Sequence, residues 1–218
     1  MPSSRKKQIL QAKRKRQRRG SIYLVIAIIT IVVAGVGLYV YASSLSSNST
    51  PSVIYAKLNT SQGVMEVELY RSLTPRTVDN FVNLANSGFY NSLVWHRIVK
   101  NFVIQTGNSN SRNGLNNATW SQPGSGAQIP FEYDSSLHNA VGYLGMASTA
   151  SGAGGTTQFY VNTNDNSAAL DGKYAVFGKV IIGMSVAYAI ANLPIYTDGQ
   201  PVNPSDAMLN SITISNSP

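Results

Sequence analysis

The sequence predicts a closed all-β domain carried behind a single membrane-spanning helix. From Val53 onward the chain breaks into short runs of alternating apolar and polar residues separated by turn signals, with helical periodicity in only two places. Ser21 to Ala42 (SIYLVIAIITIVVAGVGLYVYA) is 22 residues without a charge, the length of a helix that crosses a bilayer core. The chain has no cysteine, so no disulfide framework and no thiolate metal site is available to it. Its 218 residues suit about one folded domain.

Charge divides the chain the same way. The net charge of +8 is misleading as an average, because nine of the 17 Lys and Arg fall within residues 1–20 and all nine Asp and Glu lie from Glu66 onward. The chain beyond the leader is therefore nearly neutral, which makes a basic nucleic-acid-binding domain a poor fit. Residues 1–20, basic and without apolar periodicity, read as a disordered leader. Residues 21–42 read as the span, with Tyr23, Tyr39 and Tyr41 near its ends, where amphipathic rings favour the interface. A cleaved signal peptide ending at Val40-Tyr41-Ala42 is the rival, but the apolar run is longer and the leader more extended than such peptides use. The positive-inside tendency places the leader in the cytoplasm and everything after Ala42 outside the cell. Residues 43–52 (SSLSSNSTPS) form a flexible Ser/Thr-rich stalk, and residues 53–218 the folded domain. Sequons at Asn48, Asn59 and Asn117 would accept glycan in a host that attaches it.

Within the domain, Val53–Leu58 and Val64–Tyr70 flank a Thr-Ser-Gln-Gly turn, and Met65, Val67 and Leu69 alternate with Glu66 and Glu68 as in a half-buried strand. Thr74 is placed to cap a helix that has Pro75 at its first position, a stripe of Val78, Phe81, Val82 and Ala85, and Gly88 at its end. Asn108 to Gln128, rich in Asn, Ser and Gly, predicts a long surface loop, a kind that is usually functional or mobile. Further strands are expected at Val141–Met146, Gln158–Asn162, Ala175–Val180 and Met208–Ile214, with a second helix at Met184–Ala191.

The stretch Val94 to Gly107 (VWHRIVKNFVIQTG) carries the polar residues of interest. Arg97 and Gln105 stand eight apart, which in a chain running out along one strand and back along the next puts both on one surface. Beside Phe102 and Val103 they would make a floor for a peptide carbonyl and a small apolar ring. An ordinary hairpin with a surface arginine satisfies the same pattern.

TVDNFVNLANSGFYNSLVWHRIVKNFVIQTGN resembles the first signature of the cyclophilin-type peptidyl-prolyl isomerases. LGMAST with TTQFYVNT, and LDGKYAVFGKVIIGM, resemble the remaining motifs in order, so that the likeness covers Val53 to Ile214. The resemblance implies an eight-stranded antiparallel barrel capped by two helices, and catalysis of X–Pro rotation without metal or cofactor. It places Arg97 on the family's catalytic arginine, with Gln105 beside it. Phe102, Val103, Ala147, Ser148, Thr149, Gln158, Tyr160, Leu170 and Tyr174 fall on peptide-groove positions, the segments 158–160 and 170–174 forming a wall opposite the arginine. The chain departs from the family at Val103, often methionine, at Tyr160, often phenylalanine, and at Ala169, often tryptophan. Tyr174 and the longer loop Ala147–Thr157 have bacterial-type character.

These residue types suit the chemistry. Rotation about X–Pro makes and breaks no bond, so what helps is holding the twisted amide better than either planar form. A guanidinium can donate to the proline nitrogen once twisting restores its lone pair. His96 reads as a supporting residue rather than a base, and His138 as structural. The Gly-rich run Ser151–Gly155 lacks the Lys-Ser/Thr of a phosphate loop. The expected partners are proline-containing peptides, unfolded or folding proteins and, through the N-terminal helix, the lipid bilayer, with no nucleic acid. A tethered Pro-peptide-binding module without turnover is the alternative.

Overall fold

A computed structural model of the chain describes residues 36–37, 53–114, 117–122 and 126–218. The leader, most of the 21–42 run, the stalk and Asn48 lie outside these; Val36 and Gly37 are helical. No helix among the described residues is long and apolar enough to cross a membrane. The chain divides into two units, Met1–Thr50 and Pro51–Pro218, and the second holds all the described strands.

Nine strands are described: β1 Ile54–Thr60, β2 Gly63–Leu69, β3 Leu93–Val94, β4 Arg97–Val99, β5 Val103–Thr106, β6 Tyr143–Met146, β7 Phe159–Asn162, β8 Val176–Ile182 and β9 Met208–Ser215. They pair antiparallel in the order β3-β9-β1-β2-β8-β6-β7-β5-β4. Among the described residues of the second unit the α-helices are α1 Pro75–Asn86, the single-turn α2 Ser167–Leu170 and α3 Met184–Ala191.

The two expected helices are α1 and α3, with the single turn α2 added, but the expectation of a closed eight-stranded barrel is corrected: nine strands are described and the sheet stays open. The sheet curls, but its edges β3 and β4 do not pair with each other. They are consecutive in the chain and only Trp95 and His96 separate them, so the chain leaves one edge and enters the other without room for a ladder. Side chains bridge the seam instead. Thr106 Oγ1 on β5 donates to the Val94 carbonyl on β3 at 2.9 Å, and Trp95 is wholly buried within it. The backbone of β4 is covered by a turn, with Ile98 N donating to Gly199 O at 2.8 Å.

Strand alternation decides what faces the core. Ile98, Ile104, Val161 and Leu144 are register partners across β4, β5, β7 and β6, and all four are fully buried. Phe159 points inward beside them and meets Phe81 of α1 edge-on at 5.2 Å and Trp95 at 5.8 Å. The α1 stripe is as expected at Val78, Phe81 and Ala85, with Thr77 buried as well, and Gly88 follows it in the left-handed conformation.

Thr74 stands at the N-cap position of α1 as expected, but its side chain makes no capping bond. Glu132 supplies it from 55 residues away, its carboxylate accepting from Arg76 N at 3.1 Å, Thr77 N at 2.7 Å and Thr77 Oγ1 at 2.8 Å. The described parts of the long loop after β5 are anchored to each other. Asn108, buried, donates from Nδ2 to the carbonyls of Trp120 at 2.7 Å and Gln122 at 2.9 Å, and short 3₁₀ turns occupy Ser109–Gly114 and Asn117–Thr119.

Candidate active site

One residue row crosses the outer face of the sheet. Arg97 on β4 is the register partner of Gln105 on β5, Gln105 of Tyr160 on β7, and Tyr160 of Gly145 on β6. Paired residues in an antiparallel sheet project to the same side, so this row alternates with the buried Ile98–Ile104–Val161–Leu144 row. The eight-residue spacing of Arg97 and Gln105 is thus a direct cross-strand pair.

Hydrogen bonds fix the row's polar end. Gln158 Oε1 accepts from Gln105 Nε2 at 2.8 Å, which leaves Gln105 Oε1 to accept from Arg97 Nη1 at 3.3 Å. The guanidinium is exposed, and the second contact is long, so the amide orients the arginine while leaving most of its donors available. His96 lies behind it, 5% exposed. Burial, and after it the neighbouring Arg97 charge, push the imidazole down to about 4 against the opposing pull of Val94 and Gln158. A neutral His96 therefore backs the arginine through the physiological range.

These residues open onto a groove of about 620 Å³. Of the residues expected from the sequence, Arg97, Gln105, Ala147, Ser148, Thr149 and Gln158 line it. Phe102, Val103, Tyr160, Leu170 and Tyr174 do not. Val103 on β5 pairs with Asn162, two residues beyond Tyr160, and the Tyr160 ring stands edge-on to Tyr174 at 6.2 Å. Phe102, Leu170 and Tyr174 are half-buried, while Val103 and Tyr160 are buried at 2% and 5% exposure. The expected wall opposite the arginine is corrected here: Phe159 and Tyr160 belong to β7, which pairs with β5 in the same sheet, and Gln158 leads into that strand, so the segment extends the floor. Gly145 leaves space for Tyr160, since a Cβ there would stand 2.1 Å from the Tyr160 ring.

The groove also contains residues that the sequence did not single out. Trp120, Gln122 and Gln128 come from the Asn108–Gln128 loop, whose length was the one available signal, and Thr156 from the loop before β7. Thr156 is held by α1, its carbonyl accepting from Asn80 Nδ2 at 2.7 Å. Asp198 and Gln200 come from the turn that covers β4; they are about a hundred residues from Arg97, and no motif marks them.

Comparison with known proteins agrees with this geometry. The family model described as cyclophilin type peptidyl-prolyl cis-trans isomerase/CLD matches residues 55–214. A peptidyl-prolyl cis-trans isomerase of Acinetobacter baylyi is 36% identical over 151 residues, covering 67% of this chain and 77% of that protein. The human peptidyl-prolyl cis-trans isomerase-like 3 is 34% identical over 163 residues, covering 74% of this chain and 96% of its own. Among solved structures, a cyclophilin type peptidyl-prolyl cis-trans isomerase of Cryptosporidium parvum superposes with a TM-score of 0.67 at 25% identity, over 76% of this chain and 99% of that one. The same protein crystallised in the presence of the dipeptide Ala-Pro gives 0.65 at 26% identity, over 74% and 98%. With the family model spanning nearly the whole described domain, this chain belongs to the cyclophilin-type peptidyl-prolyl cis-trans isomerases and is an enzyme of that class.

Proposed function

We propose that the chain accelerates X–Pro rotation in proteins that fold outside the cell, and that Arg97 is the residue that lowers the barrier. The uncatalysed barrier is about 20 kcal/mol because amide resonance is lost on twisting. In the twisted state the proline nitrogen is pyramidal and can accept a hydrogen bond that neither planar isomer can. A permanently charged, rigid donor at that point stabilises the transition state alone. A thousand-fold acceleration asks for about 4 kcal/mol, within reach of one charge-assisted bond and an ordered slot.

The single observation carrying this reading is the Arg97–Gln105–Gln158 chain of hydrogen bonds. It gives the guanidinium a fixed direction on an open floor, and the adjoining Phe102, Val103, Tyr160, Leu170 and Tyr174 offer an apolar slot for the proline ring. The groove residues Ala147, Ser148 and Thr149 then receive the peptide on the other side of the arginine. The nearly neutral domain suits unfolded clients of either charge. The basic leader and the uncharged 21–42 run support a single-pass anchor with the enzyme on the far side of the membrane.

Two measurements test the parts separately. Isomerisation of a succinyl-Ala-Ala-Pro-Phe anilide by wild type and Arg97→Ala tests the mechanism. Reporter fusions at the C-terminus, one active only in the cytoplasm and one only outside, test the location; signal from the cytoplasmic reporter would overturn it.

A further inference from the structure

Tyr160 does not end in the groove. Its ring occupies the space left by Gly145, and its hydroxyl donates to Asn139 Oδ1 at 2.7 Å. Asn139 is fully buried, and two hydrogen bonds to one carboxylate oxygen hold it. Asp171 Oδ1 accepts from Asn139 N at 2.7 Å and from Asn139 Nδ2 at 3.0 Å, while Oδ2 of the same carboxylate meets His138 Nδ1 at 2.7 Å. The amide's orientation is thereby set. With Nδ2 committed to Asp171, Oδ1 must face Tyr160.

The cluster extends through Asn162 and Asn166 to the Phe102 carbonyl. Asn162 donates from Nδ2 to Tyr143 O at 2.9 Å and accepts at Oδ1 from Asn166 Nδ2 at 2.8 Å. Asn166 Nδ2 also donates to the Phe102 carbonyl at 2.8 Å. Asn139 and Asn162 are fully buried and Asn166 is 6% exposed, a concentration of polar groups that an apolar floor would not need. Burial, followed by Tyr174 and Asp171, raises the Tyr160 phenol well above its ordinary range, so it remains a donor at every working pH.

We propose that Asn139 is a positioning residue for the proline slot: by taking the Tyr160 hydroxyl it turns the phenol's polar end inward and gives the slot a hydrocarbon face. This rests on the assignment of Tyr160 and Phe102 to that slot. A tyrosine hydroxyl deprived of its buried acceptor is costly to leave unpaired, and the wet groove is its nearest alternative. The ring then swings toward the substrate. Arg97, held from Gln105 and Gln158, is untouched, so ground and transition states lose the same contact; KM changes and kcat does not.

The experiment is a double-mutant cycle on the full-length chain, with KM and kcat for the succinyl-Ala-Ala-Pro-Phe anilide measured by NMR exchange. Asn139→Ala is expected to raise KM about three- to ten-fold with kcat within two-fold, as for coupled neighbours. In the Tyr160→Phe background, where no hydroxyl needs an acceptor, the same substitution should change KM by less than about two-fold. An equal rise in both backgrounds, or a loss confined to kcat, overturns the positioning role. Phe102→Ala tests the slot independently: an unchanged KM there removes the slot assignment, whereas a raised KM beside a silent Asn139→Ala removes only the inference about Asn139. Should Asn139→Ala fail to fold, Asn139→Ser replaces it. The wild-type Tyr160 hydroxyl proton, followed by NMR with the peptide bound, gives a reading free of mutation. Protection from exchange is expected, and rapid exchange with solvent overturns the proposal.

Discussion

Replacing Glu132 by alanine should destabilise the domain from a site far along the chain from the helix it serves. The Glu132 carboxylate closes the N-terminus of α1 by accepting from two backbone N–H groups and from the Thr77 hydroxyl, whose residue is fully buried. Losing a side-chain cap costs about 1 kcal/mol. Losing the negative charge at the helix N-terminus costs about 0.5 kcal/mol more, and a buried hydroxyl left short of an acceptor about 1 kcal/mol. The total of about 2–3 kcal/mol corresponds to a fall in Tm of roughly 5–10 °C for a domain of this size. Glu132→Gln keeps one acceptor oxygen and should lose about half as much. Thermal unfolding followed by circular dichroism reads both. Because Glu132 does not line the groove, kcat/KM below the transition should stay within about two-fold of wild type. A Tm within 1 °C of wild type for Glu132→Ala, or equal losses for the two variants, would refute the assignment of the cap.

Four further outcomes are expected. His96 has a folded pKa of about 4 against 6.5 unfolded, so the unfolded chain binds the extra proton first and stability falls as pH drops from 6.5 towards 4. The loss is about 3 kcal/mol, and unfolding free energies from urea titrations at pH 7 and pH 4 should differ by that much more in wild type than in His96→Gln. Because His96 stays neutral above about pH 5, its titration should leave no mark on isomerase activity between pH 6 and 8; an inflection that His96→Gln abolishes would contradict this. Gln158→Leu removes the partner that orients Gln105 and should lower kcat/KM about three- to ten-fold with an unchanged Tm, since the groove contact is only partly buried. Gly145→Ala puts a Cβ 2.1 Å from the Tyr160 ring, and should cost about 1–3 kcal/mol of stability while raising KM for the proline anilide.

What could be read from the sequence was what local spacing encodes. Arg97 and Gln105 could be joined because a tight hairpin between Val99 and Val103 makes eight residues a register pair. The α1 stripe followed from its period, and the breaks at Pro75 and Gly88 from backbone chemistry. Contacts between distant segments could not be read in this way. Glu132 capping α1, Asn139 receiving Tyr160 and Asp198 lining the groove each join residues whose proximity only the assembled sheet creates. The seam between β3 and β4 escaped for a different reason: two-residue and three-residue strands carry too few positions to show alternation. The placing of Gln158–Tyr160 as an opposing wall failed because strand order is not written in strand sequence. β7 could have packed across the groove, but it hydrogen-bonds to β5 and continues the floor.

Arg97→Ala is the most direct test of the central claim that one guanidinium lowers the barrier to X–Pro rotation. The lost charge-assisted bond is worth about 2 kcal/mol, so kcat/KM for the proline anilide should fall roughly thirty-fold, with the circular dichroism spectrum and Tm unchanged. The side chain is exposed and its hydrogen bond to Gln105 is long at 3.3 Å, so the fold has little to lose. A folded Arg97→Ala chain with wild-type kcat/KM would contradict the account.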